Sequence, residues 1–338
     1  MDRKDVMALL TIAVFLGSLA TAVGLVRMGN AAKAGRVSQL LRTKACLGCD
    51  LERTNLSNAE LDEVDLQYAN LQDTSMRSVD LKRANLSSAN LGGANLGSAD
   101  LRKVLMTDAT LGGAVLTGAR LNESDLRRAY LGDANLEGAQ FNSAYLGEAI
   151  FSRANLRAAS LNRAYLVGAN LGESNLTGVD AQDADLRRAY LGDARLKDAR
   201  LRNANLSRAN LTRTDMRRAK LQRSTLNDTD LTVANLSEAN LTDASLLRAN
   251  LGRANLHSAN LRRANLQSVN LRRADLTGAN LTDANLSGAS LNGTILSGAI
   301  LCRTTMPDGA IAQDGCPTGP APQSAVEQSP NTSPASPQ

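Results

Sequence analysis

Residues 84–103 read ANLSSANLGGANLGSADLRK, and the spacing inside this stretch decides the fold. Leu stands at 86, 91, 96 and 101, and two residues ahead of each stands Ala84, Ala89, Ala94 or Ala99. Extended both ways, the register runs from Leu51 to Leu301, and only Met76, Met106, Phe141, Phe151, Ala181 and Met216 depart from Leu. The position two residues earlier is always small or medium-sized: Ala, Ser, Thr, Val or, at its start, Cys49. A period held over about three quarters of a chain describes units that bury their apolar faces only by stacking on one another.

Five residues turn an α-helix through about 500°, so successive leucines fall roughly 140° apart and form no stripe. A plain strand fails too, because its two faces alternate with period two. The inward-type residues Ala84, Leu86, Ala89 and Leu91 are spaced two, three, two. That is a short extended segment followed by a bend, repeated with one sense of turn. Such a chain closes into coils, which stack with parallel-strand spacing and fill the tube with columns of Leu and columns of small residues. Two large side chains per side would overfill so narrow an interior. The other three residues of each unit point outward, and no proline occurs before Pro307, as ladder-forming backbone requires.

Runs such as Ala84-Asn85-Leu86-Ser87-Ser88 and Ala279-Asn280-Leu281-Thr282-Asp283 resemble the A(D/N)LXX unit of pentapeptide repeat proteins, over residues 49–305. The resemblance implies an all-β fold: a right-handed quadrilateral parallel β-helix, four pentapeptides to a coil. The period alone does not choose between three sides and four. Tyr145 and Tyr165, twenty apart, favour four; the near-duplicates 126–136 and 186–196, sixty apart, suit either. Four sides give about 13 coils and a rod roughly 60 Å long.

The ends differ in kind. Residues 1–30 hold an uncharged run, 6–26, whose 21 residues would span about 32 Å as a helix, enough for a transmembrane anchor. Ala20-Thr21-Ala22 would equally serve as a signal-peptide cleavage site, so anchor and signal both stand. Residues 31–48 form the next unit: Ala31 to Thr43, with Val37, Leu40 and Leu41 on one side, is expected to be a short helix lidding the first coil. At the other end 306–316 is a capping loop, and the Pro- and Ser-rich stretch 317–338 has the composition of a disordered tail.

Two arguments about compartment oppose each other. Lys and Arg number two before the apolar run and five after it, through Lys44, which places the repeats on the cytoplasmic side. All four cysteines lie at the ends of the repeats, Cys46 and Cys49 at one and Cys302 and Cys316 at the other, suggesting local disulfides and an oxidising compartment. Cys46-Leu47-Gly48-Cys49-Asp50-Leu51 also looks like the opening segment of exported pentapeptide repeat proteins, and Cys302 through Cys316 like their C-terminal bracket. The periplasmic or lumenal side is therefore the expectation, with the cytoplasmic side as alternative.

A filled tube offers no catalytic pocket, and no nucleophile–base pair or phosphate loop is visible, so no enzyme and no cofactor are expected. Cys46-x-x-Cys49 has zinc spacing but lacks two further ligands nearby, and His257 follows a Leu and so points outward. The surface is more informative. From 50 to 180 there are 12 basic and 17 acidic residues; from 181 to 305 there are 19 basic and 11 acidic. The basic half is read as solvation, with an acidic partner or anionic lipid as alternative. The residue before each Leu is nearly always polar, except Leu105, Val115, Tyr130, Tyr145, Ile150, Tyr165 and Tyr190 in the middle third. Such a cluster marks either a protein-contact patch or drift in the repeat. The expected function is a non-enzymatic scaffold, membrane-anchored or exported, that binds an unknown protein. The alternative is a DNA mimic like the gyrase-inhibiting members of the family, which the basic half disfavours; no nucleic acid is expected as ligand.

Overall fold

The computed structural model describes residues 31–316; the expected anchor or signal segment 1–30 and the tail 317–338 lie outside them. Among the described residues no helix is long and apolar enough to cross a membrane.

One unit explains the rest. The Leu86 N–H donates to the Leu105 carbonyl at 2.7 Å, that of Ser88 to Thr107 at 2.8 Å, and that of Asn90 back to Ala69 at 2.9 Å. The Ala89 N–H closes a turn onto Leu86 at 3.0 Å. The Ser87 N–H alone has no backbone acceptor, and it donates to the Asn85 side chain, Oδ1, at 3.1 Å. The Asn or Asp before each Leu therefore accepts the one N–H the ladder leaves free, an Asx turn. Cross-coil amide bonds such as Asn90 Nδ2 to Asn70 Oδ1, 3.3 Å, come second.

The third residue of each turn is left-handed. Ser88 has φ 56°, and all the equivalent positions from Arg53 to Arg303 are positive, most of them not Gly. Left-handed backbone is unfavourable for side chains other than Asn, Asp and Gly, and persists where the surroundings over-determine it. Here ladder bonds on either side of every turn do so.

Parallel bridges join residues twenty apart, Asp65 to Asn85 and Asn85 to Leu105, so four pentapeptides make each coil of the β-helix solenoid. Leu and Ala columns fill the interior and are buried from Leu51 to Ala289. Phe141 and Phe151 face each other across one coil, edge to face, with centroids 6.2 Å apart. Ala181, which replaces Leu, is itself buried, and Leu176, Ala181 and Leu186 are 2–3 % exposed. Hydroxyls that take the small position, such as Thr54 and Ser124, donate to the carbonyl three residues back at 2.6–2.7 Å. No buried side-chain polar atom among the described residues lacks a partner.

Both ends of the tube are covered. Helix α1, Ala31–Thr43, buries Leu40 against the first coil. Its Lys33 Nζ and Arg36 Nη1 donate at 2.9 and 3.0 Å to the carbonyls of Glu52 and Asp50, which have no earlier coil to pair with. Cys46 is bonded to Cys49 and Cys302 to Cys316. The second bridge ties down a hairpin of β1, Thr304–Thr305, and β2, Ile311–Ala312, that covers part of the last coil. Leu291 and Leu296, on the sides the hairpin does not reach, remain half-buried.

Candidate contact surface

The bridges sort the seven apolar departures onto faces. Asp125, Tyr145, Tyr165 and Asp185 follow one another along one face, with Leu105 one coil before Asp125. Tyr130, Ile150, Asn170 and Tyr190 follow along the adjacent face, and Val115 lies on a third. Leu105, Tyr130, Tyr145, Tyr165 and Tyr190 are exposed, whereas Val115 and Ile150 are half-buried.

The tyrosines are of two kinds. Tyr145 and Tyr165 stack on each other, rings within 7° of parallel and centroids 5.2 Å apart, and each is 49 % exposed. Tyr130 lies flat on its own rod. A Cβ on Gly112 or Gly132 would come within 2.8 Å of its ring or hydroxyl. Tyr190 covers Gly172 and Gly192 in the same way, sixty residues on. The bare glycine backbone is what lets these two rings lie down, so much of their apolar surface is spent on the rod itself.

Each departure also removes an Asx acceptor. None of Thr107, Thr117, Gly132, Gly147, Ser152, Val167 and Gly192 has the backbone-to-Asx bond found after Asn or Asp. A hydrogen bond of this type contributes about 0.5–1.5 kcal/mol.

The Tyr145–Tyr165 stack is bracketed by two matching ion pairs. Arg127 holds Asp125 with contacts of 2.9 and 2.6 Å, and Arg187 holds Asp185 with 2.8 and 2.6 Å. Burial is the largest single influence on the Asp125 carboxyl and pushes it up, but the side-chain and backbone hydrogen bonds from Arg127, with the charges of Arg127 and Arg128, together outweigh it and the net direction is down. Asp185 is lowered chiefly by Arg187. Beyond Tyr165 the surface falls into an open depression of about 440 Å³, bordered by Val167, Arg187, Arg188, Arg208 and the Asp228–Arg248 ion pair.

Tyr68 does not stand before a Leu and so escaped the sequence pattern; at 63 % it is the most exposed aromatic among the described residues and sits at a left-handed turn position. Ile295 and Ile300, before Leu296 and Leu301, extend the departures beyond the middle third to the last coil. His257 is exposed, its N–H bonded to Asn255. The apolar run 6–26 lies outside the described residues.

The chain matches the family model for pentapeptide repeats over residues 46–83, 84–122, 114–153, 154–193 and 270–306, and that for a pentapeptide repeat region over 199–274. Among solved structures it is similar to HetL, a pentapeptide repeat protein involved in heterocyst differentiation regulation in the cyanobacterium Nostoc sp. strain PCC 7120. The two are 31 % identical over 82 % of this chain and 98 % of HetL, with a TM-score of 0.25. A pentapeptide repeat protein of the Arabidopsis thaliana thylakoid lumen is 30 % identical over 31 % of this chain and 70 % of its own, TM-score 0.24. Trypsin-treated QnrB1, a plasmid-mediated fluoroquinolone resistance protein, is 16 % identical over 60 % and 90 %, TM-score 0.42. No curated protein matches.

Proposed function

The chain belongs to the pentapeptide repeat family, and on that premise we propose that it is a non-enzymatic rod of about 13 coils that binds another protein through the face carrying Tyr145 and Tyr165. The observation that carries this reading is the stacked, half-exposed tyrosine pair at positions where the repeat otherwise places an Asx cap. Aromatic anchors that bury fully at an interface contribute roughly 2 kcal/mol or more each. Leu105 extends the same face, while Tyr130, Ile150 and Tyr190 border it and Val115 stands apart. A fitting partner sets an apolar side chain on the rings and acidic groups against Arg188 and Arg208.

The rod is proposed to work in an exported setting, periplasmic or lumenal, held there or delivered by residues 6–26; disulfides at both ends support an oxidising compartment. The DNA-mimic alternative needs an acidic rod, and residues 181–305 carry 19 basic against 11 acidic side chains.

The test is Tyr145→Asn with Tyr165→Asn, read in crosslinking pull-downs from the native membrane fraction. Both substitutions restore the Asx acceptor, so the melting temperature should hold or rise while partner recovery falls sharply. Wild-type recovery of every partner would reduce the patch to drift in the repeat.

A further inference from the structure

The turn residues follow a charge rule along much of the rod, and one corner departs from it furthest. An Arg at the left-handed turn position is repeatedly paired with an Asp twenty residues earlier. Examples are Arg128 with Asp108, Arg213 with Asp193, Arg248 with Asp228 and Arg303 with Asp283. Arg253 and Arg273 succeed each other on one such corner with no acid on either side: their turn-position neighbours are Val233 before and Gly293 after. Neither has an ion-pair partner among the described residues, nor has Arg272 beside them. Two guanidinium-bearing residues one coil apart repel each other. In the other such succession of arginines, Arg188 then Arg208, Asp228 stands in the next coil, whereas no acid follows Arg273.

The three arginines share one framework. The Arg253 N–H donates to the Arg272 carbonyl at 2.9 Å, and the Arg272 N–H is held by Asn270 Oδ1 at 3.1 Å. Their anchor points are therefore fixed by the ladder. Gly252, one coil before Arg272, contributes no side chain, and the corner opens into a depression of about 590 Å³ whose border contains no Asp or Glu. The nearby amides of Asn250 and Asn270 are already engaged in their own ladder, Asn270 Nδ2 to Asn250 Oδ1 at 2.7 Å. Arg272 Nε donates to Ser290 Oγ at 3.1 Å, which leaves its terminal nitrogens and the guanidinium groups of Arg253 and Arg273 facing the depression.

We propose that the Arg253–Arg272–Arg273 corner is a binding site for a phosphate-class oxyanion. Guanidinium groups match the oxygens of such an anion two at a time, and three of them around one open depression with no competing carboxylate concentrate positive potential there. The anion supplies the negative charge that Asp supplies at the other turns. It comes from a soluble phosphate or from a lipid headgroup, and the chemistry at the arginines is the same.

The experiment titrates the full-length chain with inorganic pyrophosphate by calorimetry at low salt, beside Arg253→Gln with Arg273→Gln. A charge-matched control replaces Arg77 and Arg163 by Gln, two exposed-turn arginines outside the corner. Melting temperature verifies that all three fold. Wild type and control should bind saturably, and the corner variant should weaken by about tenfold or more. A parallel sedimentation with phosphatidylglycerol vesicles separates the sources. Retention lost in the corner variant and competed by pyrophosphate assigns a lipid headgroup; pyrophosphate binding without retention assigns a soluble phosphate. No saturable binding to either probe, or equal weakening in the control, overturns the site.

Discussion

Val233 concentrates the residue-scale problem of this fold. It is β-branched, it has φ 61°, and it is 47 % exposed. A β-branched side chain is strained in left-handed backbone, and no packing at this exposed position offsets that. Val233→Gly or Val233→Asn should therefore stabilise by about 1 kcal/mol, seen as a higher melting temperature or denaturation midpoint. A fall in both would mean the side chain packs usefully on the rod. Inward and outward positions should differ just as plainly. Leu161 is 1 % exposed, so Leu161→Asp places a carboxylate in a dry column and should cost several kcal/mol. Arg163→Asp, two residues on and exposed, should change stability by only tenths of a kcal/mol. Equal shifts in chemical denaturation would sink the tube assignment.

At the scale of the pentapeptide, five N–H groups are matched to five acceptors: four on the backbone and one on the Asn or Asp before the Leu. The turn residues then add a second layer between coils, the Asp–Arg pairs. Hydrogen bonds from Arg128, Arg153, Arg213 and Arg263 hold the carboxyls of Asp108, Asp133, Asp193 and Asp243 below their ordinary value of 3.8. Because the folded values are lower than the unfolded ones, the pairs contribute fully above about pH 4 and are lost as pH falls through the depressed values. The melting temperature should stay level from neutral pH to about pH 4.5 and decline below about pH 3.5. High salt should flatten the difference, since these pairs are solvent-exposed. A melting temperature that starts to fall near pH 6 would point to groups other than these.

For the whole molecule, each coil touches only its neighbours, so stability is distributed along the rod and the ends are its weak points. The two disulfides are placed there and nowhere else among the described residues. Reduction should release the hairpin of β1 and β2 from the last coil and loosen the turn at Cys46–Cys49. Amide exchange after reduction should therefore rise at 301–316 and 44–50 while residues 100–250 keep their protection. Loss of protection along the entire rod would show that the caps hold the coils together cooperatively rather than locally.

The period of five by itself determined the columns. Leu every fifth residue with a small residue two before it excludes a helix and a plain strand, and the structure buries those positions from Leu51 to Leu286. Four sides came from the resemblance, and the bridges twenty residues apart carry it in the structure. The cysteine pairing was legible because the four thiols stand at the two ends of one register. Other features were decided only in three dimensions. The left-handed turn residue left little trace, since Arg, Glu and Ser occupy it as readily as Gly, and backbone bonds from neighbouring coils impose it. The difference between Tyr145 and Tyr130 was equally hidden. Both precede a Leu, yet one meets another tyrosine in the next coil and the other meets glycines on either side. The unbalanced arginine corner likewise looks like any Arg pair in the linear text. Which charges neutralise each other depends on what stands twenty residues away, because stacking, not sequence adjacency, makes neighbours of turn residues.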